Sequence, residues 1–404
     1  MNLTRREILK AMGFAGASCM MPNLAMAEGR SSRYAKQFIF VNLQGAPSQL
    51  ELFDPKPGLV IGGPTKAIKT RTKGLSFSEN LSGLADLSDN MAVFRMASSE
   101  GNHQRAQYVL QTGGYKPVGV LKHAGLSSIV GKFRQPRGEI LPSSISLGNG
   151  AVSAGYLGVN YDPFTINPGN KKSDLLIPES ELKRIQKAQK LREKIWKMSP
   201  YAQSTEHQSE NKLYEQASDL LFGDKVKLFD LSEVSEKEKA LYGKGNFANS
   251  CLLASRLIHG GAPSVQINLG GWDTHQDNFT KTTNLGKTLD AGLSQLIRSL
   301  KASGRYNQTL ILVAGEFGRT PRINANEGRD HWTKSWSAVL AGGMIKGSVI
   351  GESNDEGITS SKLKPNVEDL SFTTLRYMGI DPNKWIQTSV GRPIKLSPGN
   401  KRLI

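Results

Sequence analysis

Two short stretches hold most of the residues that could do chemistry. One runs Gly270-Gly271-Trp272-Asp273-Thr274-His275; the other runs Gly315-Glu316-Phe317-Gly318-Arg319-Thr320-Pro321 and, after a polar loop, Gly328-Arg329-Asp330-His331-Trp332. Asp273, His275, Glu316, Asp330 and His331 are oxygen and imidazole ligands of the kind that hold a divalent metal, with zinc, calcium and manganese as the candidates. Arg319 and Arg329 offer planar guanidinium forks suited to an anionic oxygen. The competing use of these charges is structural, with the arginines and carboxylates pairing among themselves.

The flanking elements explain how two distant stretches would meet. Leu310–Ala314 is an uninterrupted apolar run of strand length, and Pro263–Leu269 alternates as a strand does. Between them, Thr280–Ser303 places Leu285, Leu289, Leu293, Leu296, Ile297 and Leu300 on one helical face. Strand, helix, strand predicts a βαβ unit with parallel strands, so both loops emerge at one edge of the sheet. Ligands of open α/β sheets bind beyond the carboxyl ends of the strands, where these loops lie.

GGWDTHQDN, GEFGRTPRINANEGRDHW and AVLAGGMIKGSVIGESNDEG together resemble the exported bacterial family called domain of unknown function 1501. The resemblance spans nearly the whole chain, from the twin arginines to Gly391-Arg392-Pro393-Ile394. That family is grouped with alkaline phosphatases and sulfatases. The resemblance therefore implies an α/β fold, an alkaline phosphatase-like three-layer sandwich with a mostly parallel central sheet.

Three departures from the superfamily pattern bear on mechanism. After the first strand, Gln37–Val41, where the superfamily carries a metal-binding aspartate, stands Asn42, with Glu51 and Asp54 further along. Asp54 precedes Pro55 and reads as a turn former or a ligand. Beyond a strand at Met91–Phe94, Gly101-Asn102-His103 opens a helix reaching Thr112-Gly113-Gly114, and His103 stands about where sulfatases place their nucleophile. A histidine there would bind metal or act as acid or base; a solvated helix-start histidine is the other reading. Glu316-Phe317 replaces an Asp-His metal pair of the sulfatases.

Composition sets outer bounds. The chain has 404 residues and a net charge of +17, which points to an anionic partner such as an ester, an acidic polysaccharide, nucleic acid or a membrane surface. No stretch approaches the roughly 18 apolar residues of a membrane span. Residues 1–27 read as a twin-arginine export signal, with Arg5-Arg6 and the cleavage site Ala25-Met26-Ala27, and predict a periplasmic or secreted protein. Cys19 lacks the leucine three positions earlier that a lipoprotein anchor would carry. Processing leaves Cys251 alone, which excludes an internal disulfide, and its setting predicts a buried helix position.

Residues 28–404 are expected to form one domain with a helical insertion over about 170–245. Helices are predicted at Glu179–Met198, Glu206–Phe222 and Ser232–Tyr242, covering one side of the sheet, with His207 solvated among their charges. A further helix at Asn246–His259 ends at Gly260-Gly261, where His259 suits the C-terminal dipole. A strand at Ala338–Ala341 and a closing helix at Asp369–Met378 complete the chain. The loop Leu147–Asn170 offers Tyr156, Tyr161 and Phe164 for stacking on a sugar or for packing onto the body.

These features predict an exported metal-dependent hydrolase of phosphate or sulfate esters, on a small molecule or a polysaccharide. Asp273, His275, Glu316, Asp330 and His331, in some subset, would hold the metal. Arg319 and Arg329 would hold the anion, His103 would bind metal or act as acid or base, and water would be the nucleophile. The alternative is a non-catalytic exported binding or assembly protein on a degenerate hydrolase fold. A basic secreted nuclease fits the charge, but no nucleic-acid-binding motif is present.

Overall fold

Strands and helices are described from a computed structural model covering residues 33–98, 100–119, 121–169, 175–359, 364–388 and 391–404. Residues 1–27, read above as an export signal, lie outside the described residues. Ten strands matter here, numbered in chain order. They are β1 Gln37–Leu43, β2 Met91–Met96, β3 Ile145–Leu147, β4 Phe164–Ile166 and β5 Ser264–Leu269, then β6 Thr309–Ala314, β7 Gly318–Arg319, β8 His331–Trp332, β9 Trp336–Ala341 and β10 Ser348–Ile350. Apart from the single turn Ser82–Ala85, the α-helices among the described residues are α1 His103–Gln111, α2 Leu126–Arg134, α3 Glu179–Met198 and α4 Thr205–Phe222, followed by α5 Glu236–Leu241, α6 Asn246–His259, α7 Asn278–Ala302 and α8 Val367–Tyr377.

Eight strands form one sheet in the order β10-β2-β9-β6-β1-β5-β3-β4. β9 runs antiparallel to both its neighbours, β2 and β6, and every other pairing is parallel. Sequence alternation decides the layers. In β1, Phe38 and Phe40 enter the core shared with α1, α2 and α8, while Ile39, Val41 and Leu43 enter the core shared with α6 and α7. Helices thus cover both faces, which is why β6 is buried along its whole length and reads as continuous apolar sequence. The expected α/β class and three-layer architecture with a mostly parallel sheet are what the chain forms.

The predicted βαβ unit is β5-α7-β6. Its strands are parallel but not adjacent, since β1 lies between them and pairs with both. The loops after β5 and β6 therefore open at one edge, together with the turn into α1. That helix starts at His103 because the Asn102 side chain caps it, Oδ1 accepting from the Arg105 N–H at 3.1 Å.

Several expectations are corrected. β1 continues through Leu43, so Asn42 sits inside the strand, fully buried, and donates through Nδ2 to Asn268 Oδ1 at 3.1 Å. Asp54 is a buried ion-pair partner of Arg95 at 3.2 Å rather than a simple turn former. The long loop before residue 170 holds the short strand β4, and its aromatics pack onto the body, Tyr156 and Tyr161 on one core and Phe164 on the other.

The span of the expected insertion holds α3, α4 and α5 and no strand among its described residues, but α3 buries no side chain and does not cover the sheet. His207 is not simply solvated, since it stacks on Trp196 at 4.3 Å. Cys251 is fully buried within α6, and burial pushes its thiol pKa well up. No helix among the described residues is long and apolar enough to cross a membrane.

Candidate metal centre

Four side chains converge at the open edge of the sheet. Asp273 and His275 follow β5, His331 lies on β8 of the short β7–β8 hairpin after β6, and His103 opens α1. Asp273 Oδ1 lies 3.1 Å from His275 Nε2, 3.3 Å from His103 Nε2 and 3.7 Å from His331 Nε2. His275 Nε2 and His331 Nε2 are 3.1 Å apart. His103, Asp273 and His331 each bring a ligand atom within 4.8 Å of the others; His275 is not in that mutual group and joins it through Asp273 and His331. Bonds of roughly 2.0–2.1 Å in a tetrahedral site put neighbouring ligand atoms about 3.3–3.4 Å apart, the scale of these separations.

The outer nitrogen of each imidazole explains why the inner one faces the centre. His103 Nδ1 meets Glu316 Oε1 at 2.6 Å, His275 Nδ1 meets Asp330 Oδ1 at 2.7 Å, and His331 Nδ1 meets the Gly101 carbonyl at 2.8 Å. Carboxylate and carbonyl oxygens only accept, so each Nδ1 carries the proton. In the neutral rings Nε2 then holds a lone pair aimed inward, the tautomer a metal requires. His103 Nε2 is buried and has no hydrogen-bond partner, and two facing lone pairs on His275 and His331 would repel without a cation between them. This donor set fits a transition metal.

Five residues were expected to ligate, and the structure brings three of them together: Asp273, His275 and His331. Glu316 and Asp330 sit one bond further out. Both Glu316 oxygens are engaged, Oε1 by His103 and the Gly45 N–H, and Oε2 by Gln107 Nε2 at 2.6 Å. Their place is taken by His103, expected either to bind metal or to act as acid or base.

The arginines are also corrected. Arg319 is fully buried and donates to Asp273 Oδ1 at 2.5 Å and to the carbonyls of Gly45, Ala46 and Arg329. Arg329, equally buried, forks onto Glu51 and donates to the carbonyls of Ile61, Thr320 and Pro321. Arg319 orients a ligand, Arg329 ties three segments together, and neither presents a fork to a substrate.

Charge follows the same geometry. The bond to Glu316 raises His103 above the ordinary imidazole value, against its partial burial. Burial lowers His331, helped by the charges of Arg319, His103 and His275. Partial burial favours a neutral Asp273, yet the Arg319 bond and charge hold it below the usual carboxylate range. The His275 bond lowers Asp330 likewise.

Close backbone approach locks the loops in place. Asn324 Nδ2 donates to the His275 carbonyl at 3.0 Å and the Arg329 N–H to the Thr274 carbonyl at 3.0 Å. A Cβ on Gly328 would fall 1.8 Å from the His275 carbonyl oxygen, so only glycine fits there. At Gly45, φ +107°, a Cβ would fall 2.6 Å from the Asp273 backbone nitrogen. Gln107, Asn324 and the Gly101 carbonyl carried no signal in sequence; Glu51 was visible only as a spare carboxylate.

The chain belongs to the family described as "protein of unknown function (DUF1501)", whose model matches residues 35–404. No curated protein matches it. Among solved structures it is similar to the PsFucS1 sulfatase from Pseudoalteromonas sp., at 14% identity and TM-score 0.40, covering 88% of this chain and 70% of that one. It is also similar to a protein in the alkaline phosphatase superfamily from Vibrio parahaemolyticus, at 11% identity and TM-score 0.41, covering 86% and 67%. A third is the C-terminal periplasmic domain of EcEptC from Escherichia coli in complex with zinc, at 9% identity and TM-score 0.36, covering 93% and 96%.

Proposed function

We propose that this protein is an exported metal-dependent hydrolase of phosphate or sulfate esters. The observation that carries the reading is the convergence of His103, His275 and His331 Nε2 on Asp273 Oδ1, with every Nδ1 fixed from outside. Three imidazoles and one carboxylate suit zinc or manganese and disfavour calcium, which prefers an all-oxygen shell. A divalent ion bound there would polarise an ester oxygen and lower the pKa of a water. His103, His275 and His331 supply neutral donors, and Asp273 supplies one negative charge. The centre would thus keep a net positive charge toward an anionic ester. Glu316 and Asp330 hold two of the rings in the required tautomer. His103 occupies the helix start where a hydroxyl or thiol nucleophile would stand, which supports water as the nucleophile.

A second reading is favoured by the internal commitment of Arg319 and Arg329, which leaves no arginine fork for the anion. On that reading the centre binds metal in a non-catalytic exported binding or assembly protein. The two separate in one experiment, in which metal content and turnover of p-nitrophenyl phosphate and p-nitrophenyl sulfate are measured for the wild type and for His331→Ala. About one equivalent of metal with turnover, both lost in the variant, supports the hydrolase. Metal without turnover of either ester supports the binding protein. A wild type that takes up no zinc or manganese would sink both.

A further inference from the structure

Helix α3 carries a surface that no described residue buries. Over its 20 residues, seven are basic and three acidic. Its half-buried side faces α4, where the Arg192 guanidinium lies over Tyr214 at 4.0 Å and Trp196 stacks on His207. On another flank, Ala188, Leu191, Ile195 and Met198 recur at three- and four-residue spacing and so form one stripe along the helix. Leu191 is 59% exposed, Ile195 60% and Met198 83%. Beside it runs a second stripe, Lys183, Lys187, Lys190, Lys194 and Lys197, at the same alternating spacing. Lys183 bridges Glu179, while the other four have no ion pair among the described residues.

We propose that α3 docks on an anionic lipid bilayer, lying in the plane of the interface. A helix of this length is about 30 Å long, with its apolar stripe able to enter the acyl boundary while the lysines meet headgroup phosphates. Charge and apolarity select this occupant together. A second copy of the chain would bring one lysine row against another. A soluble polyanion such as an acidic polysaccharide would engage the lysines but has no use for Leu191, Ile195 and Met198, whose exposure to water is costly. The net charge of +17 favours approach to the same surface.

The test uses the full chain and two double variants, Leu191→Asp with Ile195→Asp, and Lys187→Glu with Lys194→Glu; any contribution from the export signal is then common to all three. All four positions are exposed, and circular dichroism checks that each protein is folded. Binding is measured by cosedimentation with phosphatidylglycerol vesicles and with phosphatidylcholine vesicles, and by fluorescence anisotropy titration with soluble dextran sulfate. The wild type is expected to bind the anionic vesicles at least tenfold more tightly than the zwitterionic ones, and each variant to lose at least tenfold of that binding. Anionic-vesicle binding that is absent, or unchanged in either variant, overturns the proposal. So does a loss confined to the lysine variant with dextran sulfate bound as tightly as vesicles, which would assign the face to a soluble polyanion.

Discussion

All five N–H groups of Arg329 have partners inside the protein: the two Glu51 oxygens and the carbonyls of Ile61, Thr320 and Pro321. Glu51 is almost as deeply buried, so each charge depends on the other. Arg329→Met should therefore leave an unpaired buried carboxylate and cost about 3–5 kcal/mol in urea unfolding. Removing both partners, as Arg329→Met with Glu51→Leu, should restore much of that loss. An arginine that served only to clamp substrate would show neither effect.

The same pair shows what sequence could and could not give at this scale. Residue types near the site were legible: three of five proposed ligands converge, and His103 stood out as an unusual helix opener. Direction was not legible. A carboxylate beside a histidine can face the metal or the ring's outer nitrogen, and only tertiary placement decides; Glu316 and Asp330 took the second course. Arginine suits a substrate anion and a buried Glu51 equally well, and nothing in spacing distinguishes them.

Elements were legible where their pattern was long. β6 announced itself by an apolar run, and α6 by helical spacing ended with Gly260-Gly261. β3 and β4 did not, because three residues are too few to show alternation and both adjoin glycine- and proline-rich sequence. The reversed direction of β9 was equally hidden, since it follows from the hairpin that leads into the strand rather than from its own composition. Within α6, Cys251 lies in the core shared with α7, where it and Phe247 both face Gly292, with no exposed surface, and burial raises its thiol pKa. Because the thiolate is the reactive form, Cys251 should resist iodoacetamide at pH 8 in the native protein and react fully in urea. Rapid native labelling followed by peptide mapping would contradict the packing described for α6.

On the scale of the whole molecule, the proposed metal centre joins parts of the sheet that the chain itself keeps apart. Its ligands come from the connection after β2, the loop after β5 and the hairpin after β6, and three strands separate β2 from β5 in the sheet. A cation held by all of them would bind the native state alone, because the unfolded chain cannot bring His103, Asp273, His275 and His331 together. At free metal 100-fold above its dissociation constant, that linkage contributes about 2.7 kcal/mol. In a chain of this size such a term corresponds to a melting shift of about 3 °C. Metal-loaded wild type should therefore melt about that much lower after chelation, and zinc or manganese should restore it. His331→Ala should melt at one temperature with or without chelator, since a ligand is gone while the Arg329–Glu51 and Arg319–Asp273 pairs remain. Arg329→Met should melt low in both conditions and still respond to chelator, because the fork it removes supports the loops without touching the ligands. If wild type and His331→Ala instead respond alike, the cluster is a network of charges held by hydrogen bonds alone, and the metal centre is refuted.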